Sequence, residues 1–400
     1  MTLAFEGIGG VQMEEASVIK NGTLITPFEI IEGGAIVFRN GKIVAVGQES
    51  DIKIPKGTRI IDASGKIVAP GFIDLHIHGG KGRDVMEGSY EAINELTKFL
   101  ASHGTTAFLP TTVSASCGDL LNTVKAVKAA IERGTEGAEV LGVHLEGPYI
   151  NVEKRGAHNA NYVRLPSIDE FEEIWEASNH AVKIVTLAPE LDGSKLLIQK
   201  LRELGIVASI GHSNATYTQA VDAIKQGVRH ATHMFNRMSG FDHREPGVVG
   251  AVLVHDELTA ELICDSIHVH PAAMNLLTRV KGSERVVLVT DAIRAAGMPD
   301  GEYALGKQRI IVKDGVSRLE SGDFAGSTLT MDRAVRNMMK LVGTPLQTAV
   351  KMTTMNPAVV INVDENKGSL EPGKDADIVI IDDEINVHMT IVKGNIVYKV

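Results

Sequence analysis

Eight short apolar runs, separated in several places by stretches of helical period, restrict the fold of this chain more than any other feature. They read GFIDLHIHG (71–79), GTTAFLPTT (104–112), VLGVHLEGP (140–148), VKIVTLAPE (182–190), IVASIGHS (206–213), HATHMFN (230–236), ELICDSIH (261–268) and RVVLVTDA (285–292). SYEAINELTKFLASHG and TYTQAVDAIKQGV are examples of the helix-like segments between them. Strands alternating with helices build a parallel sheet, either open and doubly wound or closed into a barrel. No Gly-x-Gly-x-x-Gly follows the first run to support the open form. Most runs end in His, Glu, Asp or Asn, and a barrel gathers its strand C-termini around one mouth. The sequence therefore predicts an α/β fold with a TIM-like (β/α)8 barrel over residues 69–358.

The two ends have a different rhythm. GGAIVFRNGKIVAVGQ and TRIIDASGKIVAP near the start, and DADIVIIDDE and MTIVKGNIVYKV at the finish, are short strands punctuated by Gly and Asn. RNGKI reads as one hairpin turn and the Gly-Asn pair of the last segment as another. Residues 1–68 and 359–400 are thus expected to form one small β-sandwich domain from both termini. The net charge of −10, with no basic stripe, argues against a nucleic-acid partner. Cys117 and Cys264 are too far apart in sequence for a paired metal motif and suit a reducing cytoplasm. MTLAFEGIGG lacks signal-peptide character and no run reaches membrane-spanning length, so a cytoplasmic protein without a membrane partner is expected.

The chemistry begins at the end of the first run. Side chains at i and i+2 of a strand share a face, so His76 and His78 aim together with Asp74 one step deeper. One such histidine is ordinarily satisfied by a backbone carbonyl; two closing a barrel's first strand make half a metal site. Glu146 in HLEGP, His212 in GHSNAT, His233 in HATHMFN and Asp291 in VTDA lie in or at the ends of other runs. One carboxylate with four imidazoles suits Zn²⁺ or Fe²⁺. Asp291 is either a further ligand or a general base beside an activated water.

In order, PGFIDLHIHGG, HLEGPY, KRGAHN, GHSNAT, HATHMFN, HREPG, DSIHVHP, VTDAIRAAG and FAGSTLTM resemble the N-acetylglucosamine-6-phosphate deacetylases of the amidohydrolase superfamily. The likeness runs from NGKIVAVG to GSLEPGKDADIVI, nearly the whole chain, and the N-acetylgalactosamine-6-phosphate deacetylases share most of it. It implies hydrolysis of N-acetylglucosamine 6-phosphate to acetate and the free amino sugar phosphate, with the galacto sugar as alternative. It also implies one or two divalent metal ions per subunit, Zn or Fe, held by Glu146, His212 and His233 with His76 and His78. Asp291 matches the family's acid/base and His158 the group that polarises the acetyl carbonyl. Ala157, Asn236, Arg237, Arg244, Asp265, His268 and the segment Phe324, Ala325, Gly326, Ser327 match substrate-binding positions. A homodimer or homotetramer is implied, a neighbouring subunit supplying part of the phosphate site. Arg237 and Ser266 depart from the family's usual small residue and glycine, beside the presumed sugar contacts. The alternative enzyme is another amidohydrolase, a deaminase or cyclic-amide hydrolase; Glu146 at the third strand, where dihydropyrimidinase-like relatives often carry a lysine, weighs against the latter, and the complete ligand set weighs against a scaffold without activity.

Overall fold

Six of the eight runs contain a strand, and those at 230–236 and 261–268 overlap the last two residues of one: β1 Phe72–Ile77, β2 Thr105–Pro110, β3 Val143–Glu146, β4 Val182–Leu187, β5 Val207–Ile210, β6 Val228–Ala231, β7 Thr259–Leu262 and β8 Val286–Leu288. The computed structural model describes residues 16–55 and 57–400, so the reading of MTLAFEGIGG lies outside the described residues. β3 to β8 pair in parallel in chain order, and β1 pairs in parallel with β2. Two bridges join these groups, Thr111 to His144 beyond β2 and Ile77 to Ala292 beyond β8. Hydrogen bonding therefore passes along all eight strands and returns to the first. Every residue of β1 and β2 is buried, as expected of a parallel sheet covered on both faces.

Helices follow the strands because the intervening segments are amphipathic and capped. They include α1 Tyr90–Ser102, α2 Cys117–Arg133, α3 Ile168–Ala177, α4 Ser194–Glu203 and α5 Tyr217–Gln226. Ser89, Ser116, Ser167 and Thr216 each accept a hydrogen bond from a first-turn amide of α1, α2, α3 and α5. Each such cap is worth about 1 kcal/mol. The acidic run in α3 has Phe171 and Ile174 on its buried side, and Trp175 packs partly buried against the core.

Strands from both ends meet in one eight-stranded sheet: Ser17–Ile25, Ile30–Arg39, Lys42–Gln48, Arg59–Asp62 and Ile67–Pro70 with Ile378–Ile381, Val387–Val392 and Asn395–Lys399. Left-handed Asn40 and Gly41 make the first expected hairpin turn. In the last hairpin the left-handed pair is Lys393-Gly394, one residue before the expected Gly-Asn, because Val392 pairs with Asn395. Ile67–Pro70 belongs to this sheet and leads through Gly71 into β1; a Cβ on Gly71 would lie 2.1 Å from Thr106. Buried Lys367 lies within 3.0 Å of carboxylate oxygens of Asp375, Asp377 and Glu139, tying this sheet to the approach to β3.

After β8 the chain forms an antiparallel sheet, Gly301–Leu305, Gln308–Lys313 and Val316–Leu319, absent from the sequence reading. Leu305, Ile310 and Val312 pack on Val113, Ile293 and Ala325 beside the strand C-termini. Among the described residues no helix is long and apolar enough to cross a membrane.

Candidate active site and metal centre

The strand ends aim their polar residues by breaking the extended conformation. His212, His233 and Asp291 lie just beyond β5, β6 and β8, at φ of 47°, 28° and 48°. Non-glycine residues seldom adopt this left-handed region, and such departures concentrate at functional sites. The Asp291 amide donates to the His76 carbonyl at 2.8 Å, fixing the last strand's end to the first.

Glu146, the last residue of β3, occupies the centre. Its Oε1 lies 3.0 Å from His212 Nε2, 3.1 Å from His233 Nε2 and 3.4 Å from His76 Nε2. Its Oε2 lies 3.3 Å from His78 Nε2 and 3.2 Å from His158 Nε2. Asp291 Oδ1 is 3.2 Å from His78 Nε2 and 3.6 Å from His76 Nε2. All seven side chains are at least nine-tenths buried except Asp291, whose side chain is 11 % exposed. Ligand atoms about 2.0–2.2 Å from one cation stand roughly 3–3.5 Å from each other, the separations found here.

The ring nitrogens facing outward decide which histidines fit a metal. His212 Nδ1 donates to the Lys154 carbonyl at 2.8 Å and His78 Nδ1 to the Thr111 carbonyl at 3.1 Å. His76 Nδ1 donates to Glu261 at 2.9 Å. In the neutral rings, Nε2 therefore turns a lone pair inward, toward carboxylate oxygens. Burial depresses the His212 pKa to about 4, leaving that ring neutral and its lone pair 3.0 Å from Glu146. His212 Nε2 also lies only 3.0 Å from His233 Nε2, and His233 Nδ1 has no partner among the described residues. Lone pairs facing lone pairs are relieved by a cation between them. Burial pushes His78 down, but Asp291 and Glu146 overcome it and raise its pKa to about 9. The same contest leaves His76 well above its ordinary value. The space between the carboxylates therefore calls for positive charge, which a divalent ion supplies while displacing those protons. The donor set fits such an ion.

His158 differs. Its Nδ1 accepts the Ser114 amide at 2.9 Å, so its proton is on Nε2, pointing toward Glu146. Distance groups it with Glu146 and His212 as a candidate ligand, but that tautomer makes it a hydrogen-bond donor toward the site.

Several supporting residues escaped the sequence reading. Glu261, fully buried in β7, accepts from His76 Nδ1 and from the His233 amide, both at 2.9 Å. His230 lies beside it at 3.2 Å. His144 bonds the Leu75 carbonyl and Thr186, joining β1, β3 and β4 inside the strand ring. Thr290 donates to Asp74 at 2.6 Å. Burial raises the Asp74 pKa to about 7, despite that bond. A charged Glu inside the apolar run AELIC was the available signal for Glu261.

The metal-type residues except the fully buried His76 open onto a cleft of about 1040 Å³, its solvent-open part included, lined also by Ala157, Asn236, Arg237, His268, Phe324 and Gly326. His268 is aimed by Asp265, which accepts from its Nδ1 at 2.7 Å. Asp265 is outside the cleft lining and acts through His268. Ala325 and Ser327 are also outside it: Ala325 is core, and Ser327 donates to the Thr290 carbonyl at 2.6 Å. Gly326, at a φ of 57°, turns the segment here, and of these four residues Phe324 and Gly326 line the cleft. Arg237 is held at the rim by Asp323, 2.9 Å away. Arg244 is exposed and apart from this cleft, and among the described residues no carboxylate lies within 4 Å of its guanidinium. Glu245, its neighbour in sequence, instead accepts the Tyr217 amide at 2.6 Å.

Residues 67–397 match the model of the amidohydrolase family. The N-acetylglucosamine-6-phosphate deacetylase of Bacillus subtilis is 38 % identical, covering 96 % of this chain and 98 % of that protein. The N-acetylgalactosamine-6-phosphate deacetylase of Escherichia coli O157:H7 is 39 % identical over 86 % of this chain and 90 % of its own. Among solved structures, an N-acetyl-D-glucosamine-6-phosphate deacetylase variant of Mycobacterium smegmatis, in complex with N-acetyl-D-glucosamine 6-phosphate, superimposes with a TM-score of 0.90. It is 33 % identical and covers 96 % of this chain and 100 % of its own.

Proposed function

The chain belongs to the amidohydrolase family, and on that premise we propose that it hydrolyses N-acetylglucosamine 6-phosphate to glucosamine 6-phosphate and acetate. The observation carrying this reading is the convergence of His76, His78, His212 and His233 on Glu146, with Asp291 alongside. The names of the relatives reported above support the substrate.

In this reading the returning strand ring is a (β/α)8 barrel over residues 69–358. Of the expected terminal segments 1–68 and 359–400, the described residues form a small β-sandwich domain, supported by the apolar cluster of Ile19, Ile36, Phe38, Val68, Ile378 and Ile391; residues 1–15 lie outside the described residues. Glu146, His212 and His233 hold one divalent cation, and His76 and His78 with Glu146 hold a second. Zn²⁺ or Fe²⁺ suits this nitrogen-and-oxygen set. When bound, such an ion acidifies water and polarises a carbonyl. Asp291 takes the proton of the attacking water and delivers it to the departing amine nitrogen. His158 donates its Nε2 proton to the oxygen on which negative charge develops. Asn236, His268 and Arg237 face the sugar phosphate from the cleft rim. Arg244, exposed and without an acidic partner among the described residues, serves the phosphate site of a second copy in a homodimer or homotetramer. The reaction takes place in the cytoplasm.

The galacto-configured substrate is the second reading, favoured by the Escherichia coli O157:H7 relative and by the unusual Arg237 and Ser266. Acetate release from both N-acetylated hexosamine 6-phosphates, assayed with the metal-loaded protein, tests the proposal. Turnover of the gluco compound at least tenfold faster supports it. Preference for the galacto compound establishes the second reading, and turnover of neither overturns both.

A further inference from the structure

A second pocket, about 700 Å³ including the part open to solvent, lies behind His158, walled by Met86, Val113, Ala115, Ala157 and Leu305 on its apolar side and by Glu87, Asp119, Arg294 and Lys307 on its polar side. Val113, Ala157 and Leu305 also line the metal-type cleft, so these three residues form the wall between the chambers. The two are joined again by the contact of Ser114, which faces the second cavity, with the His158 ring in the first, 2.9 Å apart. Leu305 ends one strand of the antiparallel hairpin, and its position is set by tethers on its neighbours. The Gly306 amide donates to Asp84 at 3.1 Å and Lys307 pairs with Asp119 at 2.8 Å.

An amide carbonyl carbon has three substituents in one plane. In the proposed reaction its oxygen faces the His158 Nε2 proton and its nitrogen carries the sugar, toward His268 and Asn236. The remaining substituent, the acyl group's carbon chain, is left the direction of the shared apolar wall. An acetyl methyl ends at that wall; rotation of Leu305 admits a longer chain to the space beyond.

We propose that the cavity behind His158 is an acyl-chain chamber, and that the enzyme hydrolyses N-propionyl and N-butyryl hexosamine 6-phosphates as well as the N-acetyl compound. This rests on the deacetylase reading above. The step is unchanged: the oxygen of water bonds to the acyl carbon, the carbon–nitrogen bond breaks, and the nitrogen leaves as amine with the proton Asp291 carried. The products are the amino sugar phosphate and propionate or butyrate.

Free amine release from the three N-acyl glucosamine 6-phosphates, assayed with the metal-loaded protein, is the test. The expected kcat/KM for the N-butyryl compound is within twentyfold of that for the N-acetyl compound. Filling the chamber from its far wall by Ala115→Leu or, independently, Met86→Phe should lower N-butyryl turnover at least tenfold relative to N-acetyl turnover. N-butyryl turnover more than twentyfold below N-acetyl overturns the chamber, as does an equal loss on both substrates in the folded variants. Absence of N-acetyl turnover in the native protein instead overturns the deacetylase reading.

Discussion

Replacing Glu261 by glutamine tests how the buried charge beneath the metal site acts. The amide is nearly isosteric, and its oxygen can still accept from His76 Nδ1 and the His233 amide, each now 2.9 Å from Glu261 Oε2. Its NH₂ then faces His230 Nε2, 3.2 Å from the other oxygen. Geometry is kept and one negative charge is removed. Hydrogen bonds to a carboxylate are about twice as strong as neutral ones, and outer partners of ligand histidines are worth roughly 10–100-fold in metal affinity. That range is about 1.4–2.7 kcal/mol. The larger loss belongs to the cation at His76 and His78, because among the ligand histidines His76 is the one whose ring nitrogen bonds Glu261. His212 uses the Lys154 carbonyl and should be nearly unaffected. Competition titration with a metal-buffering chelator, followed by metal analysis, should resolve a weakened ion from a retained one. Affinities within threefold of native for every bound ion would falsify the assignment of Glu261 as the charge that orients His76.

Three further outcomes are expected. Asp291→Asn should keep its metal, measured by metal analysis, while turnover falls about 10²–10⁴-fold, the usual worth of a positioned general acid/base; near-native turnover would remove that role. Lys367→Met leaves buried Asp377 without its cation, while Asp375 keeps Lys42 at 2.7 Å, and should cost about 3–5 kcal/mol in denaturant unfolding, as for other broken buried pairs; an unchanged midpoint would show the cluster is not a tie between sheet and barrel. Asp332 is pushed up by burial but held net below the usual carboxylate range by His103, 3.2 Å away, and Thr330. Its folded carboxyl stays charged at a pH where the unfolded one binds a proton, so its contribution is present above about pH 4 and is lost as pH falls through the depressed folded value. Acid unfolding of Asp332→Asn should show a shallower pH slope below about pH 4 than the native protein, and identical slopes would contradict this.

Much of the strand framework was legible because a buried parallel strand leaves a continuous apolar run; six of the eight runs contain one, and the runs at 230–236 and 261–268 begin two residues late. The residues drawn together at Glu146 were legible for a related reason. Each is a polar group at the edge of an apolar run, a placement that costs free energy unless the group has a partner. The antiparallel sheet of residues 301–319 was not legible. Its strands are only four to six residues long and only Gln308–Lys313 alternates buried and exposed positions, and its role comes from packing on Val113 and Ile293, distant in sequence. Ala325 and Ser327 were included with Phe324 and Gly326 because a motif names a stretch, whereas the turn at Gly326 and the packing around it divide that stretch between core and cleft.

The sequence by itself determined which side chains could meet at the mouth, because strand order and strand ends are written in local pattern. Tertiary structure decided what each one can do there. His158 and His212 are the same residue type beside the same carboxylate. The Ser114 amide leaves one bearing a proton toward the site, and the Lys154 carbonyl leaves the other with a lone pair. A ring's tautomer is set by the partner of its far nitrogen, and that partner is supplied by a different part of the chain.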